Sequence, residues 1–285
     1  MSLVKAEFRR AGVDGRWLGL MITAVLLALV WALGSGFVLD RMYDQWSSGP
    51  GLSDDSSPVR YWPLSVFGIA RSINFATIFP MIFAGLAVTN GIKRRNAAAI
   101  SDEPDRGGGL GVKAIAYVLW GTIFGIVIVA AVGGGVVLVV DADTLPNVSD
   151  WLALAGAGVL ASILMAVFGA GVGALLGNPT ATTTVLVLYM LIIENGIVYS
   201  MIWQGELLRI FSFLPNGSAN GITSSVASDL FIGAESLSPD TESEVYRIFA
   251  GSPGALDWWL SGLVFLAWTG VFLLGGWAVR RKKVT

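Results

Sequence analysis

Apolar residues run along this chain in stretches of about twenty, and polar residues gather in the gaps between them. A bilayer core is crossed by roughly 20 apolar helical residues. Six stretches reach that length, at about 17–39, 66–90, 112–140, 151–176, 181–203 and 257–279. The pattern predicts an all-α integral membrane protein with six transmembrane helices, in a single membrane domain over residues 1–285. No gap is long enough to hold a separate globular core. The first run is longer than the roughly 7–15 residues of a signal-peptide core and shows no small-residue cleavage site, so it is read as a span.

The gaps differ in character. Residues 40–62 are rich in Ser, Gly, Asp and Pro, which predicts an irregular outer loop. Residues 2–16 place Val4, Phe8 and Ala11 on one helical face and Lys5, Arg9 and Arg10 on others. That pattern fits a short helix lying on the inner leaflet or a solvated basic leader. The outer segment, about 204–256, carries Ile222, Val226 and Leu230 at helical spacing beside Ser224, Ser225 and Ser228. This predicts a short amphipathic helix at the outer membrane face. Leu207, Leu208, Ile210, Phe211, Phe213 and Leu214, ending at Pro215, predict a re-entrant piece that dips back among the spans and needs shielding by them. No repeat of fixed period and no inverted symmetry between halves is visible, which counts against several secondary-transporter architectures.

Charge orients this layout. Thirteen of the eighteen lysines and arginines fall in the N-terminal segment, in residues 91–113 or in the tail from Arg280 to Lys283. The positive-inside rule therefore puts both termini in the cytoplasm, which requires an even number of spans. Trp62, Trp151, Trp203, Trp258 and Trp259 then mark outer ends, and Trp17 and Trp277 inner ends, where indole rings sit at headgroup level. A chain 54% hydrophobic and only 13% charged has too little polar surface for a soluble domain, so lipid rather than nucleic acid is its expected surroundings. Cysteine and histidine are absent, which removes disulfides, thiolate nucleophiles, His-based dyads and the usual transition-metal ligand sets. Neither a catalytic site, nor a metal site, nor a cofactor site is expected in this chain.

A few polar or small residues stand out inside the spans. Arg71 lies in the second and Glu194 in the fifth, and intramembrane charge is costly enough to mark a functional or locking element. The expectation is that they pair with each other, or with Asn74 and Asn195, in the interior. Gly169, Gly173 and Gly177 recur every four residues, with Ser162, Ala166 and Ala170 on a neighbouring face. Small residues let helices approach closely, whether within one protomer, at a dimer face or along a substrate path. The inner segment Asn90 to Lys113 mixes Lys93, Arg94 and Arg95 with Asp102 and Glu103, which suits either a solvated loop or docking onto a cytoplasmic partner. Within it, Gly107 to Ala114 fails the phosphate-loop pattern, because Val112 precedes Lys113 and an apolar span follows.

Three passages carry a family resemblance. The start, KAEFRRAGVDGRWLGLMI, runs a basic leader straight into a span; GLAVTNGIKRRNAAAI ends the second span in a basic turn; and GALLGNPTATTTVLVLYMLIIEN is followed by FLPNGSANGI. In these the chain resembles the six-span permease subunits of type-2 ABC exporters, in the style of Gram-positive and actinobacterial members. In place of the family's frequent Arg-x-Gly-Thr it has Arg95-Asn96-Ala97-Ala98. The resemblance implies a second permease subunit, identical or different, and cytoplasmic ATPase subunits that bind ATP and magnesium and dock on the 91–113 coupling loop through Lys93, Arg94, Arg95, Asp102 and Glu103. It further implies a place in a bacterial plasma membrane and export of an amphipathic, lipid-like, peptide or antibiotic cargo.

Three other classes compete with it. A scaffold, immunity or sensor subunit would move no cargo when the ATPase is added. A secondary transporter or channel would show flux with no partner. An intramembrane enzyme would need paired carboxylates or an activated nucleophile within the spans, and none is visible.

Overall fold

The computed structural model describes residues 3–13, 15–47, 64–98, 110–140, 145–201, 208–235 and 246–281. They form helices joined by short turns, with no strand among the described residues. In chain order these are α1 (Leu3–Gly12), α2 (Arg16–Ser47), α3 (Leu64–Ala76), α4 (Ile78–Ala98), α5 (Leu110–Val137) and α6 (Val148–Leu176). There follow α7 (Pro179–Val187), α8 (Glu194–Met201), α9 (Leu208–Phe211), α10 (Pro215–Glu235), α11 (246–250) and α12 (Trp258–Arg281). Among the described residues six helical stretches are long and apolar enough to cross a membrane: Arg16–Val38, Ser65–Arg94, Gly111–Val137, Val148–Leu176, Pro179–Ile197 and Trp258–Val279. By length and composition the chain is a multi-pass membrane protein.

The first span is turned inside out relative to a helix of a soluble protein. Its buried positions are Met21, Ala24, Ala28, Ala32 and Gly36, while Leu18, Ile22, Leu26, Val30, Leu33 and Phe37 are exposed. Lipid is as apolar as leucine, so burying large side chains brings little gain and small residues that admit close packing face inward. Polar residues 40–47, expected in a loop, continue α2 as helix; residues 48–63 lie outside the described residues.

Two of the spans are interrupted, each for an identifiable reason. Pro80 has no N–H to give the carbonyl of Ala76, and the second span breaks there into α3 and α4 around Thr77. Thr77 keeps the break ordered, its N–H bonding the carbonyl of Ile73 at 3.0 Å and its hydroxyl that of Asn74 at 2.9 Å. In the fifth span the stretch Leu188–Ile193 widens to a π-helical turn between α7 and α8, the Glu194 N–H reaching back to the carbonyl of Tyr189. The side chain of Asn195 then donates to the carbonyls of Met190 (2.9 Å) and Leu191 (3.0 Å), which the widened turn leaves accessible.

α6 is the hub, packed against α4, α5, α10 and α12. A Cβ on Gly169 would lie 2.0 Å from the Met81 carbonyl oxygen and one on Gly173 2.6 Å from that of Gly85, so α4 and α6 cross backbone to backbone. On a second face of α6, Ser162 and Ala166 fill the space left by Gly125 and Gly121 of α5. On a third, Gly171 and Ala174 meet α12 at Phe272 and Gly276. Gly177 does something else. At φ 68° it ends α6, its N–H bonding the Gly173 carbonyl, after which Asn178 caps α7 with Pro179 at its first position.

One end of the bundle gathers the basic segments. α1 lies there as a helix packed on the start of α5, with the Phe8 and Trp120 rings stacked at 4.7 Å and the Trp120 indole donating to the Phe8 carbonyl at 3.2 Å. Glu7 reaches Lys113 at 4.0 Å. α4 and α12 end at the same side, since Gly85 sits beside Gly173 and Gly276 beside Ala174, near the terminus of α6.

The segment between the fifth and sixth spans departs from its expected form. α10 is not a short surface helix but twenty-one residues packed among α3, α6 and α12. Ser224, Ser225 and Ser228 are buried along with Ile222, because each serine hydroxyl finds a carbonyl: Ala250, Leu256 and Ser224 respectively. A polar face so satisfied has no need of water. The turn after α9 lies against α12. The Trp268 indole donates to the Phe213 carbonyl at 2.8 Å, about 15 Å along α12 from Trp258 at 1.5 Å per residue.

Candidate functional site

The polar residues that stand out in the second and fifth spans converge at the end of the bundle away from the basic segments. Asn74, on α3, takes the hydroxyl proton of Thr223 on its oxygen and donates through its nitrogen to Ser224 at 3.1 Å and to the Ala250 carbonyl at 3.3 Å. One carboxamide thereby ties α3 to α10 and α11. Arg71, one turn earlier, lies against Gly251 and 6.0 Å from the centre of the Phe75 ring. Gly251 has φ 97°, a backbone conformation that favours glycine, and a Cβ there would come within 2.4 Å of the guanidinium at the end of the Arg71 side chain.

Glu194 is fully buried, and its carboxylate is occupied by backbone. One oxygen accepts from the N–H of Asn216 at 3.0 Å and the other from that of Gly217 at 2.6 Å. These are the first-turn donors of α10, a helix that begins inside the bundle and whose N-terminus carries partial positive charge. The donors there are fully accounted for. Leu214 N–H bonds the Phe211 carbonyl at 3.0 Å, Pro215 has none, Asn216 and Gly217 go to Glu194, and Ser218 returns to Leu214 at 2.9 Å. Gly217 is required as well, since a Cβ would lie 2.0 Å from the Phe211 carbonyl oxygen.

The expected pairing of Glu194 with Arg71, Asn74 or Asn195 is therefore corrected. Glu194 and Arg71 form no ion pair with each other among the described residues, because a helix N-terminus satisfies the carboxylate instead. Asn74 bonds α10 and α11, and Asn195 bonds carbonyls of its own span. Sequence reading did not single out Asn216, Asn220, Thr223 or Gly251. Pro215, a good first residue of a helix, is the signal that pointed towards the first of them.

Arg71, Asn74 and Asn195 do share a cavity of about 250 Å³, whose wall is completed by Asn216 and Asn220 of α10, Gly251, and apolar side chains including Ile78, Met165 and Met190. It is flanked by α3, α6, the fifth span and α10. Such a mixture of convergent polar groups and apolar wall is the usual make-up of a small-molecule site, though the volume is at the small end. Among the described residues no group of three or more carboxylates is placed to hold a metal ion.

At the basic end, Lys93 and Arg94 are exposed on the last turns of α4, and Arg95 belongs to the same helix. Asp102 and Glu103 lie outside the described residues. Gly169 and Gly173 sit at the α4–α6 crossing, away from the cavity. Comparison with protein-family models found no match, and neither did comparison with curated proteins.

Proposed function

We propose that this chain is a membrane-embedded transport subunit that works with a separate energy-supplying partner. More particularly, we read it as the permease subunit of a type-2 ABC exporter. The observation that carries the reading is that one broken span, α3 and α4, runs from the polar cavity at Arg71 and Asn74 to the exposed cations Lys93 and Arg94 at the basic end. A partner that engages Lys93, Arg94, Arg95, Asp102 and Glu103 would thus hold one end of an element whose other end lines the cavity. The helix α1, clamped onto α5 beside the same end, supports the reading by adding a surface that faces the headgroups.

In this reading both termini are cytoplasmic, the basic end lies at the inner leaflet of a bacterial plasma membrane, and the cavity lies in the outer half. The ATPase subunits bind ATP and magnesium. Their closure acts through differential contacts with two states of the permease, which pairs with a second permease subunit around the transport route. The cargo is amphipathic: lipid-like, peptide or antibiotic.

The test is to purify the chain in mild detergent from its native host and identify what accompanies it. The expected companion is an ABC ATPase that is lost when Lys93, Arg94 and Arg95 are all changed to Glu. Absence of any ATPase after crosslinking would overturn the reading. Reconstitution of chain and ATPase should then give cargo movement that requires ATP.

A further inference from the structure

We infer that the cavity beside α10 is a binding subsite for a carboxamide, a neutral head that donates and accepts hydrogen bonds at once, joined to a short apolar group. The inference rests on the permease reading only in taking that occupant to be part of the cargo.

Asn216 and Asn220 stand one turn apart on one face of α10, and both line the cavity. They are only 6% and 9% exposed, a depth at which polar groups are normally satisfied. The hydroxyls of α10 obey that rule: Ser218, Thr223, Ser224, Ser225 and Ser228 each donate to an oxygen. The two asparagines do not. Their side chains share one bond, from the Asn220 nitrogen to the Asn216 oxygen at 3.2 Å, and among the described residues they make no other. In either orientation of the pair one amide nitrogen and one carbonyl oxygen are left over. Neither is sealed in the packing, since the sealed side-chain polar atoms without a partner among the described residues are Thr182 Oγ1 and Arg247 Nε. A donor and an acceptor therefore open together onto the cavity.

The aim of this pair is fixed by its helix. Glu194 accepts from the Asn216 N–H, Asn74 accepts from Thr223, and Ser224 donates to the Ala250 carbonyl, which together hold the rotation of α10. From the fifth span Asn195, its nitrogen committed to the carbonyls of Met190 and Leu191, has its oxygen left to give the cavity. A carboxamide matches this wall, because its oxygen takes the asparagine N–H and its own N–H groups supply the asparagine oxygens. A head that only accepts would strand those oxygens, at a cost of about tenfold in affinity. Being neutral, a carboxamide does not depend on the charge of Arg71, which lines the same wall. Ile78, Met165 and Met190 supply apolar surface for the rest, and a volume of about 250 Å³ holds a carboxamide with a few carbons.

The chain has no cysteine, so a single introduced thiol reports on one place. The full chain carrying Met190→Cys, or separately Ile78→Cys, in phosphatidylcholine nanodiscs without any ATPase, is labelled with a small methanethiosulfonate. The probes are butyramide, methyl propyl ketone and butyrate, which share a shape and differ in the head. The expected result is saturable protection by butyramide, with about tenfold weaker protection by the ketone and by butyrate. Asn216→Leu together with Asn220→Leu should erase the preference for butyramide over the ketone. Asn220→Asp should create protection by butylammonium, which gives none in the parent, and a gain of this kind does not arise from misfolding. The labelling rate without probe checks that each variant is folded; where the double variant alters that rate, Asn220→Asp decides. Protection by N-acetylleucinamide from the aqueous side identifies a peptide as the source of the amide, and protection only when ceramide is added to the nanodisc identifies a lipid amide. Equal protection by the ketone, stronger protection by butyrate, no protection of either thiol, or no change in the deciding variant overturns the subsite. Because no ATPase is present, that failure leaves the permease reading standing, and failure to capture an ATPase leaves the subsite standing.

Discussion

The two ends of the central bundle are held together in opposite ways. Where α4 crosses α6, glycines bring backbone onto backbone at Met81 and Gly85. Around α10, by contrast, the helices are joined by side chains: Asn74 to Thr223 and Ser224, Ser225 to the Leu256 carbonyl, Ser252 to the Gly217 carbonyl, Glu194 to the first turn. Both solve the same problem, since helices in lipid gain no hydrophobic drive towards one another. They differ in what they permit. A crossing without side chains has a single fit, whereas hydrogen bonds made by rotatable groups can exchange partners. The contrast separates a crossing held by backbone packing, α4 with α6, from a joint held by side-chain hydrogen bonds, α10 with its neighbours.

The largest effect should come from the crossing. Gly169→Leu sets a side chain where the Met81 carbonyl already lies 2.0 Å from a Cβ position, and overpacking of that kind costs about 3 kcal/mol or more. Little monodisperse protein is expected on size exclusion, and an unchanged melting temperature would show that the crossing is looser than described. Next comes Glu194→Ala, which strands two buried N–H donors at a loss of about 3 kcal/mol. Glu194→Gln retains an acceptor and should lose less, read as a smaller drop in melting temperature. If the two variants melt alike, the carboxylate is not what holds α10.

Asn74→Ala should cost about 2 kcal/mol, and its effect should not add to that of Thr223→Val, because the two share one bond. Additivity in that double-mutant cycle would place the two residues in separate networks. The smallest effects belong to α1. Trp120→Phe keeps an aromatic ring against Phe8 but loses the indole donor, worth about 1 kcal/mol. The expected sign is faster tryptic cutting at Arg9 and Arg10 with the melting temperature hardly moved. Lys113→Ala, which removes a 4.0 Å ion pair with Glu7, should change cutting still less.

Much of this molecule was legible in its sequence, and the parts that were not share a physical cause. The six apolar runs announce themselves because lipid demands unbroken helical stretches. Arg71, Asn74, Glu194 and Asn195 stood out because a polar residue in such a run is expensive, and three of them do line one cavity. α10 reads as a surface helix in the sequence because its serines, threonine and asparagines look solvated to any scale that counts polarity. They are buried by hydrogen bonds, which leave no periodic trace in a sequence. The partner of Glu194 escaped for a related reason: it is a pair of backbone N–H groups, and every residue but proline has one. That α1 lies against α5 at the basic end, with Phe8 stacked on Trp120, is visible only in the folded chain.

The π-helical turn at Leu188–Ile193 carries a consequence for how the fifth span tolerates change. A π turn holds one residue more than the α-helical turn it replaces, and each residue advances an α-helix by about 100°. That surplus residue sets the compass bearing of everything downstream. Without it Glu194 would point about a quarter-turn or more away from the first turn of α10, and Asn195 away from the cavity, with every side chain still in place. In this hexapeptide, then, length is itself information: substitutions alter the wall, but a single insertion or deletion re-aims the whole remainder of the span.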